Sequence, residues 1–445
     1  MGIRVTDTTS TPVKRAGPAP FVPGTPSAAA RRRTHRLLRG VAAVAAGGVL
    51  GIGALLGALR LEHEAPLTLP NPTGPYAVGR AVVDWRDDAT SDPLAPAPGA
   101  ARELLVWLWY PAAPPPAGAS VGPRPGAAPA DYLPAPMRAA VERARGPFIS
   151  GFLTRDLAKV RPHSLERAAV APERRAYPVV ILRGGASAEV WNYTSLAEDL
   201  ASHGYVVVGF DAPYRTQVVA LPDGRVVRRA PGNDPELAVG APDSARRITR
   251  VLGAWTRDVG FVLDRLRRLN VGGAPGGAWS VPDTTVRFTG RLDLAHVGVV
   301  GHSLGGATAA QFCHDDARCT AGIDIDGALL GTAVRDGIPR PFLFLMGDHR
   351  GGADPGSRQI LAAIQSVYDR LPPGGRALVT IPGANHFLFS DDGALLKSQI
   401  LQRALRAAGV LGIDGRRQLA ATADGVRRFL DAHLQGTSPT RPAAQ

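Results

Sequence analysis

Only two cysteines, Cys313 and Cys319, occur among 445 residues, and without a second pair they do not read as a zinc site. In an exported chain they could be joined in a disulfide closing a short loop, or stand as two buried thiols. Lysine is almost missing as well, with Lys14, Lys159 and Lys397 the only three among 51 basic residues. Residues 1–60 hold nine Arg or Lys and one acid, which leaves only +5 of the net +13 for all the rest. That remainder is spread thinly, with no basic stripe interleaved with aromatics, and a nucleic-acid partner is excluded on those grounds. No internal repeat is visible. With 45 % hydrophobic against 20 % charged residues, the bulk of the chain is globular rather than disordered.

Residues 1–39 read as a disordered basic tail ending in "RRRTHRLLRG". The twenty uncharged residues after it, Gly40 to Leu59, would span about 30 Å as a helix, the thickness of a bilayer core. A basic cluster before such a run keeps its own side cytoplasmic and sends the chain beyond Arg60 outward. The run exceeds the usual signal core of roughly 7 to 15 residues and lacks a small-x-small site before Arg60. Residues 40–60 are therefore expected to be a retained single-pass anchor, with a cleaved or twin-arginine signal and a secreted product as the alternative, and a buried Ala/Gly-rich helix as the plainest one. Residues 61–75 look like a proline-rich linker, residues 76–435 like the folded domain, and 436–445 like a disordered tail.

From Pro178 onward short β-branched runs alternate with helix-compatible segments: "VVIL" (179–182), "YVVVGF" (205–210), "VGVV" (297–300), "AGIDI" (321–325), "FLFLM" (342–346) and "ALVTI" (377–381). Runs without polar alternation are buried on both faces, the mark of a mostly parallel sheet covered by helices. An earlier strand is expected in 102–111, an Ala/Pro/Gly loop from there to about residue 136, and a partly helical stretch over 141–160. Residues 214–248, rich in Pro, Gly and Arg, read as an insertion placed where such sheets carry substrate-facing excursions.

Gly301-His302-Ser303-Leu304-Gly305 matches the G-x-S-x-G turn, with a strand before it and a small-residue helix after it, as a nucleophile elbow requires. Flanking side chains would collide with the backbone of that turn, which is why both neighbours are glycine. A hydroxyl attacks only when a base takes its proton, and His386, in the loop after the run 377–381, is the candidate base. His349 is the other histidine to test, because it adjoins a candidate acid. Asp326 ends "AGIDI" and Asp348 follows "FLFLMG". Both satisfy the order Ser, Asp, His. An oxyanion needs two N–H donors. Leu304 supplies one, and "RGGAS" (183–187) offers Gly184 or Gly185, with Gly185 the choice. Arg183 would cover the mouth of the site or solvate its loop.

"TGPYAVG", "RELLVWLWYPA", "ASHGYVVVGFD", "GHSLGGAT", "RCTAGIDIDG" and "IPGANHFLFSD" together resemble the α/β-hydrolases similar to plasma-type platelet-activating factor acetylhydrolase and its bacterial lipase and esterase relatives. The likeness covers roughly residues 73–435. It implies an α/β-hydrolase fold and a serine esterase needing no metal or organic cofactor, acting on small-molecule or lipid esters such as short-chain or oxidised phospholipids. It also points to Asp326 rather than Asp348, whose position carries the acid in cutinase-like and dienelactone-hydrolase-like enzymes. Where that family has a histidine-glycine pair at the oxyanion loop, this chain has Arg183-Gly184. The alternatives are a polyester or lactone hydrolase of the latter kinds, or a non-catalytic anchored binding protein, against which the intact Ser, His and acid argue.

Overall fold

The computed structural model describes residues 28–114, 128–147, 150, 154–221, 223–235, 243–273, 287–349, 355–409 and 412–436. Residues 1–27 of the expected tail, 115–127 of the Ala/Pro/Gly loop, 236–242 of the insertion and 437–445 lie outside the described residues. Two units are distinguished, Met1–Gly57 and Ala58–Gln445.

The first unit holds most of helix α1 (Ala28–Glu64). The helix therefore begins ahead of the basic cluster, inside the stretch expected to be tail. Its Arg39–Glu64 portion is long and apolar enough to cross a membrane, with a mean hydropathy of 2.1 over its best window. Residues 61–75 are not a free linker. The helix runs on to Glu64, and the Glu62 carboxylate accepts from Ser398 N at 2.7 Å and from Arg155 at 3.2 Å. Beyond it, β1 (Leu67–Thr68) pairs with β4 (Val160–Arg161), and Thr73 donates through its amide and hydroxyl to Asp199 at 2.8 and 2.7 Å. Prolines in this stretch rule out helix, and the polar groups they leave are taken up by the domain surface instead.

The second unit is built on nine strands among the described residues: β2 (Ala77–Ser91), β3 (Ala101–Ala112), β5 (Leu165–Glu166), β6 (Tyr177–Arg183), β7 (Val206–Asp211), β10 (Leu292–His302), β11 (Ala321–Ile325), β12 (Phe342–Met346) and β13 (Arg376–Thr380). They lie side by side in the order β13-β12-β11-β10-β6-β7-β3-β2-β5. Pairing is parallel from β13 to β7, antiparallel around β3, and parallel again at β5. Successive residues of one strand enter opposite cores: Val180 and Leu182 pack on one face, Val179 and Ile181 on the other. This is why the strands read as unbroken apolar runs. β2 escaped the sequence reading because charges interrupt it, and two of them, Arg80 and Asp84, are buried.

Helices α3 (Thr194–Ser202), α4 (Ser244–Asn270), α5 (Leu304–Asp315), α6 (Ala333–Asp336), α7 (Pro355–Asp369), α8 (Asp392–Leu395), α9 (Gln399–Ala407) and α10 (Gly415–Leu434) follow the strands. The stretch expected to be partly helical over 141–160 is so: it holds the end of α2 (Ala135–Arg145), which starts earlier, and a short 3₁₀ turn at Leu157–Lys159. Gly146, at φ +82°, and Pro147 end α2, since neither continues a helix readily. The insertion carries a small hairpin of β8 (Val218–Ala220) and β9 (Val226–Arg228). Arg215 pins it down: its buried guanidinium donates to Asp92 at 2.7 Å and to Asp258 of α4 at 2.8 Å. Cys313 of α5 and Cys319 before β11 form a disulfide, so the free-thiol alternative is set aside.

Candidate active site

β10 ends at His302 and α5 begins at Leu304, so Ser303 alone makes the turn, at φ +56° and ψ −123°. That left-handed conformation is costly for a residue with a side chain and persists only where the surroundings enforce it. Here Ser303 N donates to Ile325 O of β11 at 2.9 Å. A Cβ on Gly301 would overlap the Gly305 carbonyl, and one on Gly305 would strike the Arg183 and Gly184 carbonyls. The two glycines thus let the turn close and let the 183–187 loop lie against the helix. Leu304 N, at the first position of α5, has no helical acceptor and is available to a ligand.

The structure brings Asp326 and His386 together. His386 Nδ1–H donates to Asp326 Oδ2 at 2.8 Å, the carboxylate being fully buried and the imidazole about one-third exposed. Burial by itself would raise the Asp326 carboxyl, but hydrogen bonds from His386, Gly347 N and His349 outweigh it and bring it down to about 2. Asp348 sits elsewhere: its Oδ2 accepts from Gly383 N at 2.8 Å, closing the turn before the histidine loop. Asp326 has left β11, at φ +53°, while Asp324, still within the strand, accepts from Gly327 N at 2.8 Å, and burial raises its carboxyl well above the ordinary range. Asn385 caps the short helical turn that starts at His386, and the buried Gln418 side chain bonds both the amide and the carbonyl of Asn385. Among the described residues the Ser303 hydroxyl makes no side-chain hydrogen bond, so a contact between it and His386 is not part of this arrangement.

His302, read from the sequence as merely the variable residue of the turn, occupies the centre of a buried chain of hydrogen bonds. Gly185 N donates to Tyr193 Oη at 3.2 Å, Tyr193 Oη–H donates to His302 Nδ1 at 2.7 Å, and His302 Nε2–H donates to the His386 carbonyl at 3.0 Å. Burial, followed by the neighbouring His386, lowers His302 to about 3, so it stays neutral in that tautomer. These bonds correct one expectation. Gly185 does lie against Ser303, where an added Cβ would come within 3.2 Å of the serine Cβ, but its N–H is committed to Tyr193. The next amide, Ala186 N, donates to no described residue, and Ala186 packs in the same small apolar cluster as Leu304, Leu252 and Trp255. Glycine richness could not show that commitment, because the partner lies eight residues away. Arg183 neither covers the mouth nor solvates the loop. It is buried, stacked over Phe210 and Trp255 at 4.1 and 4.4 Å, and burial lowers it to about 10.

A mostly parallel sheet with a strained Gly-x-Ser-x-Gly turn at its centre and a His–Asp pair carried by the following strand ends defines an α/β-hydrolase. Residues 249–438 match the family model of platelet-activating factor acetylhydrolase, isoform II, a stretch that includes Ser303, Asp326 and His386 but not the 183–187 loop. A probable 1-alkyl-2-acetylglycerophosphocholine esterase of Arthroderma benhamiae is 23 % identical over 248 residues, 54 % of each chain. The platelet-activating factor acetylhydrolase of Cavia porcellus is 25 % identical over 219 residues, 48 % of each. The chain spans about half the length of these curated relatives. Among solved structures, a ferulic acid esterase from Streptomyces cinnamoneus superposes with a TM-score of 0.63 at 28 % identity, covering 85 % of this chain and 97 % of that one. The chain is accordingly an α/β-hydrolase similar to the platelet-activating factor acetylhydrolases and to bacterial esterases.

Proposed function

We propose that the chain is a serine carboxylic-ester hydrolase. Ser303 attacks the ester carbonyl, His386 Nε2 takes the hydroxyl proton and returns it to the departing alcohol, and Asp326 holds His386 in the tautomer with Nδ1 protonated. The oxyanion is received by the amides of Leu304 and Ala186, each such donor being worth about 2.7 to 4 kcal/mol in comparable enzymes. An acyl-enzyme forms on Ser303, and water activated by the same imidazole releases the acid.

The observation carrying this reading is the 2.8 Å bond from His386 Nδ1 to the buried Asp326 carboxylate, on a sheet whose central turn presents Ser303. The relatives support an ester substrate of modest acyl size, with short-chain or oxidised phospholipids the leading class. The long match to a ferulic acid esterase favours a second reading, in which the substrate is an aryl or polymer-bound ester. The Arg39–Glu64 helix supports a membrane-held enzyme with its catalytic domain outside, the cleaved, secreted form being the alternative. A fluorophosphonate probe is expected to label the wild type and not Ser303→Ala. An unlabelled, folded wild type refutes the proposal. Turnover of p-nitrophenyl esters of graded chain length, beside an acetylated phospholipid and a feruloyl ester, separates the two substrate readings.

A further inference from the structure

The Asp326 carboxylate serves two imidazoles. Its Oδ2 accepts from His386, while its Oδ1 accepts from His349 Nε2–H at 2.6 Å and from Gly347 N at 2.7 Å. His349 stands in the loop after β12, about one-third exposed, against a fully buried acid. No step of acyl transfer requires it: its ring faces the oxygen opposite to His386, and the chemistry is complete without it. Yet it sits where it controls how much of the Asp326 charge His386 meets.

We propose that His349 is a positioning residue for the Asp326–His386 pair, which fixes the plane of the carboxylate through Oδ1 and takes a share of its charge, so setting the pH below which His386 ceases to act as a base. The inference rests on the triad reading given above. A carboxylate offers one negative charge to all its donors, so a strong donor on Oδ1 weakens the attraction that Oδ2 exerts on an imidazolium. A proton gained by His349 would place a cation on the same carboxylate and oppose a second proton on His386. Among the described residues, the titratable groups facing this arrangement are Asp326 after β11, His386 after β13 and Asp348 beside His349, with His302 against His386 and Asp324, its carboxyl raised by burial, nearby. No arginine or lysine is paired with Asp326 among the described residues, so the two histidines are its charge partners there.

The test compares the full chain with His349→Ala and His349→Gln. Two midpoints are read: the acid limb of kcat/KM for a p-nitrophenyl ester, and the imidazole Cε1–H titration of His386 followed by NMR, which needs no turnover. Removing the ring leaves Gly347 as the sole donor to Oδ1. Both midpoints of His349→Ala are therefore expected to move to higher pH by about half a unit to one unit, with kcat several-fold lower and KM unchanged. His349→Gln, which keeps an N–H without a titrating ring, is expected to fall between the alanine variant and wild type in both readings. Melting temperatures show that each variant is folded, and the glutamine variant carries the test should the alanine one not fold. Midpoints equal to wild type in both variants, or a fall in kcat with the midpoint unmoved, overturn the proposal. An inert wild type refutes the esterase reading separately, and the NMR midpoints still decide the role of His349.

Discussion

Asp326→Asn tests the acid at a single pair of atoms. The native carboxylate is acceptor-only and receives three N–H groups: Gly347 N and His349 Nε2 on Oδ1, His386 Nδ1 on Oδ2. A carboxamide has one oxygen and one NH2. Two donors press on the Oδ1 side, so the amide oxygen settles there and the NH2 is turned to His386 Nδ1. The imidazole must then accept at Nδ1 and carry its proton on Nε2, the nitrogen that should receive the proton of Ser303. Such a tautomer error costs about 10⁴ in kcat in comparable triads, equivalent to about 5.5 kcal/mol of barrier. KM should hardly change, because the buried acid has no route to the substrate. Asp348→Asn is the control: its amide oxygen still accepts from Gly383 N, and kcat should stay within about threefold of wild type. The assay is steady-state hydrolysis of a p-nitrophenyl ester, referred to active sites counted with a fluorophosphonate. Retention of more than about a tenth of kcat by Asp326→Asn, or its abolition by Asp348→Asn, would refute the assignment.

Tyr193→Phe removes the hydroxyl between Gly185 N and His302 Nδ1, leaving a buried donor and a buried acceptor unpaired at about 1 to 3 kcal/mol each; a clear drop in melting temperature and a roughly tenfold lower kcat at unchanged KM are expected as the His386 carbonyl loses its firm partner. Two buried carboxyls give stability a pH dependence: burial raises Glu189 to about 7 and Asp211 to about 8, so the folded state holds these protons more tightly than the unfolded chain. Their contribution is complete below about pH 4 and is lost as pH rises through 7 to 8, and Glu189→Gln with Asp211→Asn should flatten the melting temperature over pH 5 to 8. Asp326, lowered to about 2, acts in the opposite sense, contributing about 2 kcal/mol above pH 4 that disappears as pH falls toward 2. Replacing Cys313 and Cys319 together by serine opens a loop of separation six, for which chain entropy predicts a loss of about 2 kcal/mol; calorimetry should show a melting point a few degrees lower, matched by reducing the wild type.

Relations between residues close in the chain were legible without coordinates. Two-sided burial leaves unbroken apolar runs, and β6, β7, β10, β11 and β12 were visible as such, while the exposed edge strand β13 was visible from its β-branched run alone. The turn at Ser303 was visible because its sterics reach only as far as Gly301 and Gly305. The places of His386, in the loop after β13, and of Leu304, at the start of α5, follow from the order of the elements. The interrupted strand β2 was missed, because its partners rather than its own pattern bury Arg80 and Asp84. The retention of residues 61–75 on the domain was missed for a similar reason, since the acceptors that hold them, such as Asp199, lie far along the chain.

By itself, then, the sequence determined the layered α/β architecture, the apolar N-terminal helix and the strained serine turn, all properties of short windows governed by side-chain period and backbone sterics. Only the tertiary structure decided which of two acids at adjacent strand ends faces His386, that the Gly185 amide is taken up by Tyr193, where Arg183 goes, and that His349 shares the acid. Each of these depends on directed hydrogen bonds or ring contacts spanning a few ångströms in space between residues as far apart in the chain as Asp326 and His386, and no local pattern encodes such a distance.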